Sequence, residues 1–232
     1  MKLPITWQYD EFKQVGKDYG QPAEVAVYDS SHADFRDIEK ESDAVLDRLA
    51  VKAGQVLVDF GAGTGTFAIQ AARRGLKVFA VDVSAPMLEF AQAKAAQAGV
   101  ADITFCHAGF LTYEHTGPAV DFITTTFAFH HLPDFWKGIA LQRLHALLKT
   151  GGKFYLSDVI LSEPQAIENI AAFIRKQTEA GGDFLREDAE LHFRDEHSTY
   201  DWVMDGLLTR AGFRIESKEL REGVFGSYIC VK

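Results

Sequence analysis

The sequence predicts an α/β protein: a doubly wound, mostly parallel sheet of seven strands under a helical lid. Three observations carry that expectation. A short apolar run, Val56 to Val58, is followed by an acid, three glycines spaced two apart and a helical stretch, in the order strand, turn, helix. Between residues 77 and 159, short β-branched runs alternate with helical patterns, as parallel strands joined by crossover helices do. The chain then closes on Phe213 to Leu220 and Val224 to Val231, two strand-like runs around Arg221-Glu222-Gly223 that read as an antiparallel hairpin.

Length and composition narrow the class. The 232 residues suit one domain with a substantial core. A hydrophobic content of 47% and a charged content of 25% are ordinary for a globular protein. Apolar runs stay far below the ~20 residues of a membrane span. Met1 to Gln8 has no apolar h-region, so no secretory signal is expected. A net charge of −9 argues against electrostatic binding of nucleic acid. Cys106 and Cys230 are too few for a disulfide framework or a Cys-rich metal site. The expected strand order sets them five strands apart, about 24 Å at one strand spacing per step, beyond the ~7 Å reach of a disulfide. Both are read as reduced thiols of a cytoplasmic protein. The oligomeric state is left open.

Residues 1–50 are the most aromatic stretch, with Trp7, Tyr9, Phe12, Tyr19, Tyr28 and Phe35. Ile38, Val45, Leu46 and Leu49 lie at helical spacing and predict an amphipathic helix over about 34–50. The segment either packs on the sheet or covers a ligand. Strand one is Val56 to Val58; the helix that follows starts at Thr66 and stops at Gly75. Lys77 to Asp82 is a second strand ending in an acid. In a doubly wound sheet it neighbours the first, so Asp82 stands near the glycine turn, where a carboxylate can accept from both hydroxyls of a ribose. Ser84 is placed to cap the next helix, with Pro86 in its first turn. Met87 either touches a ligand or belongs to the core.

Asp102 to Cys106 is strand three and Val120 to Thr126 strand four. The helix from Phe135 to Leu148 has Asp134 as its expected N-cap. Lys149 to Gly152 is a turn, and Lys153 to Val159 is strand five. Glu163 to Ala180 is a helix broken by Gly181-Gly182. Asp183 to His197 reads as a solvated charged surface, and Ser198 to Asp201 as a capping box. The organisation is one domain, 1–232, with an N-terminal lid (1–50), a ligand-binding core (51–160), a helical insertion (161–200) and a terminal helix and hairpin (201–232).

The glycines select among nucleotide sites. A dinucleotide turn needs G-x-G-x-x-G, and Thr66 stands where its third glycine belongs. A P-loop needs a lysine that is missing here. Asp59-Phe60-Gly61-Ala62-Gly63-Thr64-Gly65 instead resembles motif I of the class I S-adenosylmethionine (SAM) dependent methyltransferases. The order of Asp82, the His130-His131-Leu132-Pro133-Asp134 loop and Gly151-Gly152 before strand five extends the resemblance over about 51–160. It implies the Rossmann-like methyltransferase fold. It also implies SAM as cofactor, S-adenosylhomocysteine as product, and a small-molecule acceptor with neither nucleic acid nor membrane as partner. The cofactor residues it implies are Asp59, Gly61, Ala62, Gly63, Thr64, Gly65, Asp82, Val83, Met87, Gly109, Phe110 and Thr126, with Tyr28 as the lid residue and Arg36 as a weaker contact. Many relatives carry an acid for the adenine amino group where Gly109 stands. Backbone groups of Gly109 and the Phe110 ring are the expected substitutes.

A general base is needed only if the acceptor must lose a proton. His130 and His131 follow strand four at the edge where ligands bind, and Asp158 ends strand five. His131, with Asp158 behind or beside it, is the expected acceptor residue, since neighbours in an extended loop point opposite ways. Either imidazole is otherwise a packing residue. The His-His pair with a following acid resembles natural-product sugar O-methyltransferases; a quinone-type C-methyltransferase stays open. No metal is expected. Catechol-type chemistry would want acids ending strands four and five, the latter followed by Asn, and Thr126 and Asp158-Val159 do not fit. His192 and His197 lack zinc-protease spacing. Too few cysteines are present for an arsenite enzyme. The alternative function is a SAM-binding protein without methyl transfer, or an enzyme using SAM for another reaction.

Overall fold

The computed structural model describes residues 5–13, 15, 16, 25 and 37–232. Its helices are α1 (Ile38–Leu49), α2 (Thr66–Arg73), α3 (Ala85–Gln97), α4 (Asp134–Leu147), α5 (Ala166–Asp195) and α6 (Asp201–Arg210). Its strands are β1 (Val56–Phe60), β2 (Lys77–Asp82), β3 (Ile103–His107), β4 (Val120–Thr126), β5 (Leu148–Leu161), β6 (Thr199–Tyr200), β7 (Arg214–Arg221) and β8 (Phe225–Val231). Seven strands form one path in the order β3-β2-β1-β4-β5-β8-β7, and the two-residue β6 pairs with β5 beside it. β8 runs antiparallel to both neighbours. The doubly wound expectation holds, as does the separation of Cys106 on β3 from Cys230 on β8.

Alternation along the strands builds a core on each face. Val56, Val58, Phe60, Ile123, Phe154 and Leu156 pack with Trp136, Leu141 and Leu144 of α4 and with Met204 and Leu208 of α6. Leu57, Val78, Ala80, Phe122 and Tyr155 pack with Leu46 and Leu49 of α1 and with Ala68 and Ala71 of α2. Each buried Leu or Phe contributes on the order of 1.5–3 kcal/mol. The chain leaves β1 toward β2 and β3, then returns to the other side as β4. Phe60 stands beside Val81 on β2 and Thr125 on β4, so the carboxyl ends of three strands finish level. The switch point between β1 and β4 is therefore an open crevice.

Two local expectations are corrected and a third holds. Asp134 opens α4 rather than capping it; Pro133 is the N-cap, and the Asp134 carboxylate instead takes the Lys137 ammonium and the Thr199 hydroxyl. Ser198 to Asp201 is no capping box, because Thr199 and Tyr200 are drawn out straight to pair with Ile160 and Leu161. The expected break at Gly181-Gly182 is present: both glycines have non-helical dihedrals and kink α5 into two helical stretches.

Candidate active site

The turn after β1 is built on three left-handed glycines, with φ of 69° at Gly61, 52° at Gly63 and 77° at Gly65. The Gly61 and Ala62 amides donate to Val81 O at 2.9 and 3.1 Å, which ties the turn to β2. A Cβ on Gly61 would run into that of Ala128, and one on Gly65 would lie 2.8 Å from that of Ala91. A Cβ on Gly63 would meet nothing within 4 Å, because Gly63 faces open space. Two residues thus hold the turn against its neighbours, and the third leaves room for something to approach the backbone.

Asp82 is buried at the end of β2. One carboxylate oxygen accepts from Gly63 N and the other from Ser84 N, both at 2.8 Å. Burial raises its pKa, and those donors oppose the rise. The Val83 amide bears on it as well, and the carboxylate still keeps acceptor capacity. Ser84 caps α3 through Met87 N at 3.2 Å, as expected. Asp59 is buried on β1 and accepts from the Thr124 hydroxyl at 2.7 Å. Burial pushes its pKa up to about 7, with Thr124 pulling it down and the Asp82 charge adding to the rise.

Two connected clefts open around this turn. The first is walled by Gly61, Gly63, Asp82, Val83, Met87, Gly109, Phe110, Thr126, Phe127, Ala128 and His131, and Glu11, Lys13 and Val15 also line it. The second is walled by Asp59, Ala62, Thr64, Thr66, Phe67, Tyr155, Ser157, Arg48 and Arg221. They meet at Gly61, Gly63, Thr126 and Phe127. Eleven of the expected cofactor residues border these clefts, while Gly65 packs on Ala91 as the N-cap of α2. Tyr28 and Arg36 lie outside the described residues. The Phe110 ring stacks on Phe60 at 5.2 Å, which fixes the floor beside Gly109.

An acid from elsewhere in the chain stands beside Gly109. Glu11 points its carboxylate into the space where a side chain at 109 would begin. Leu111 N donates to both of its oxygens, at 3.1 and 3.0 Å, and the Thr112 hydroxyl donates to one at 2.7 Å. Gly109 N donates in turn to Thr112 Oγ1 at 2.9 Å. Desolvation raises the Glu11 pKa against these bonds. No local sequence signal links Glu11 to Gly109, because the contact crosses a hundred residues.

Beyond β4 the chain reverses at Phe127, a non-glycine residue at φ 51° whose amide donates to Ser157 O at 2.9 Å. Such strain is concentrated at functional sites. Phe129–His131 then form a 3-10 turn. The turn corrects the extended-loop expectation: the two imidazoles sit side by side, ring centroids 4.3 Å apart. His131 lines the first cleft, whereas His130 is buried behind it. Asp158 serves His130, not His131. Its Oδ1 lies 2.5 Å from His130 Nδ1, and its Oδ2 accepts from Phe129 N at 2.8 Å and His130 N at 3.1 Å. Desolvation lowers the His130 pKa, but Asp158 and Glu196 outweigh it and carry the value up to about 9. Desolvation and the His130 charge take His131 down to about 4. Glu196 was expected on a solvated surface, yet its side chain is 5% exposed and lies 3.2 Å from His130 Nε2.

Known proteins share this architecture. A family model described as a methyltransferase domain matches residues 57–152. An uncharacterized methyltransferase of Geobacillus thermodenitrificans is 32% identical over 206 residues, covering 89% of this chain and 88% of its own length. One from Geobacillus kaustophilus is 32% identical over 204 residues, covering 88% and 87%. Among solved structures, a SAM dependent methyltransferase from Aquifex aeolicus superposes with a TM-score of 0.63 at 19% identity, over 90% of this chain and 97% of that one. Magnesium protoporphyrin IX methyltransferase from Synechocystis PCC 6803, with bound SAM, superposes with a TM-score of 0.59 at 18% identity, over 84% and 79%.

Proposed function

The chain belongs to the class I SAM-dependent methyltransferases, and from that premise we propose that it moves a methyl group onto a small-molecule acceptor held in the first cleft. One observation carries the reading: Gly63, Asp82 and Glu11 converge on a single crevice whose far wall is His131. The residues suit SAM. Gly63 has open space where a Cβ would stand. Asp82 keeps acceptor capacity for the ribose hydroxyls after bonding Gly63 and Ser84. Glu11 supplies the carboxylate for the adenine amino group that Gly109 lacks, and the Phe110 and Met87 side chains flank the ring.

Bound there, SAM supplies an electrophilic methyl group with an activated leaving group. The protein's task is then mostly to hold the acceptor in line and exclude water. His131 is the acceptor-facing histidine; His130 and Asp158 fix the turn that presents it. Glu11, Lys13 and Val15 of the N-terminal segment line part of the cleft. The Tyr9 hydroxyl donates to His131 O at 3.2 Å, and the Trp7 ring lies 5.9 Å from that of Trp136. A crevice lined in part by the N-terminal segment supports a small acceptor over a macromolecular one.

The test is incubation of the purified protein with methyl-labelled SAM and separate metabolite, protein and nucleic-acid fractions of an extract. Label in a low-molecular-mass product is the expected result. Label only in a macromolecular fraction would overturn the small-molecule reading. Tight SAM binding with no transfer to any fraction would favour a SAM-binding protein.

A further inference from the structure

His192 and Glu196 are brought to His130 by the end of α5, and no part of the methyl-transfer account uses them. We propose that His130 Nε2, His192 Nδ1 and the Glu196 carboxylate form a binding site for a divalent first-row transition metal ion, with Zn2+ the ion their chemistry fits best.

The three ligand atoms all lie within 4.8 Å of one another. Glu196 Oε2 is 3.2 Å from His130 Nε2 and in direct contact with His192 Nδ1. The spacing of His192 and Glu196, four apart at the helix end, sets both on one side of α5. Two imidazoles and one carboxylate are a recognised zinc set and leave a coordination position open.

The outer bonds of the two rings match what a metal site requires. Asp158, ionised, can only accept, so His130 Nδ1 must carry hydrogen. A metal ion that displaces the Nε2 proton frees a lone pair that faces Glu196. His192 Nε2 lies 2.8 Å from Ser198 Oγ, which leaves Nδ1 for the same carboxylate oxygen. Each inner nitrogen is thus aimed at one oxygen, and each outer nitrogen is oriented by a polar partner, as around ligating histidines generally. A cation between them satisfies all three lone pairs at once. Its surroundings suit positive charge, since two carboxylates, Asp158 and Glu196, meet His130. The site is also covered: a Cβ on Gly16 would run into the Glu196 side chain, so only glycine lets the N-terminal segment pass this close. Asp158 and the 3-10 turn connect the cluster to the cleft wall at His131.

The experiment is Zn2+ titration of the chelator-stripped full chain by calorimetry, with Co2+ followed by visible absorption. The expectation is one Zn2+ per chain with a Kd below about 1 μM and a Co2+ spectrum of a histidine-carboxylate site. Glu196→Gln and His192→Gln should each weaken Zn2+ about 100-fold or more, and Ser198→Ala, which only orients a ligand, about 10-fold. Circular dichroism and Tm establish that each variant folds. If the ligand variants do not fold, Ser198→Ala and the wild-type Co2+ spectrum still decide. Absence of tight binding, or tight binding unchanged in every folded variant, would overturn the site. Neither readout involves methyl transfer.

Discussion

Replacing Glu11 should change which purine the cleft prefers. Glu11 lines the crevice beside Gly109 and Phe110, and its carboxylate retains acceptor capacity after Leu111 and Thr112 have donated to it. A hydrogen bond to a charged acceptor is worth about 1.5–3 kcal/mol, or roughly 10- to 150-fold in affinity. Glu11→Ala should therefore weaken S-adenosylhomocysteine by about that factor. The loss includes any loosening of the N-terminal segment, so a second ligand separates the two effects. S-inosylhomocysteine carries an oxygen where adenine carries its amino group. Wild type should reject it by a similar factor, Glu11→Ala should hardly discriminate, and Glu11→Gln, which can donate, should move toward the inosine compound. Calorimetric titration of both ligands against all three proteins checks this. Equal discrimination by wild type and Glu11→Ala would refute the assignment.

Four further outcomes follow from the same site. Asp82→Asn should weaken SAM by on the order of 2–4 kcal/mol in a binding titration, through loss of charge-assisted bonds to the ribose. Asp59, with a folded pKa of about 7 against an unfolded value near 4, binds its proton more tightly when folded. Its contribution to stability is thus full below about pH 4 and is lost as pH rises through about 7. Denaturant titrations of wild type and Asp59→Asn should therefore diverge across that window, the variant gaining relative stability at the higher pH. His130→Ala strands the buried Asp158 carboxylate and should cost about 3–5 kcal/mol, seen as a lower Tm. His131→Ala should keep the fold and SAM affinity while turnover falls about 10²-fold.

What the sequence made legible follows from how local each signal is. Between residues 51 and 160, strand, turn and helix are adjacent in the chain, so hydrophobic runs and glycine spacing reveal β1 to β5 and the position of Asp82. Gly61, Gly63 and Gly65 announce their own dihedrals. Glu11 was invisible because its partner is set by the path of the N-terminal segment over the sheet. His192 and Glu196 carried a readable four-residue spacing, but their third member, His130, reaches them only through tertiary packing. The charged run around them looked like surface for the same reason. Pairing of Thr199 and Tyr200 with β5 overrode a sound capping pattern. The His130-His131 loop misled because a 3-10 turn, not an extended strand, sets the directions of its side chains.

A crystal structure of the full chain with S-adenosylhomocysteine tests the account most directly. The ribose hydroxyls should bond Asp82, the adenine amino group should meet Glu11 over Gly109, and the sulfur should face the wall that holds His131. A ligand bound away from the glycine turn, or an adenine edge that leaves Glu11 untouched, would contradict it.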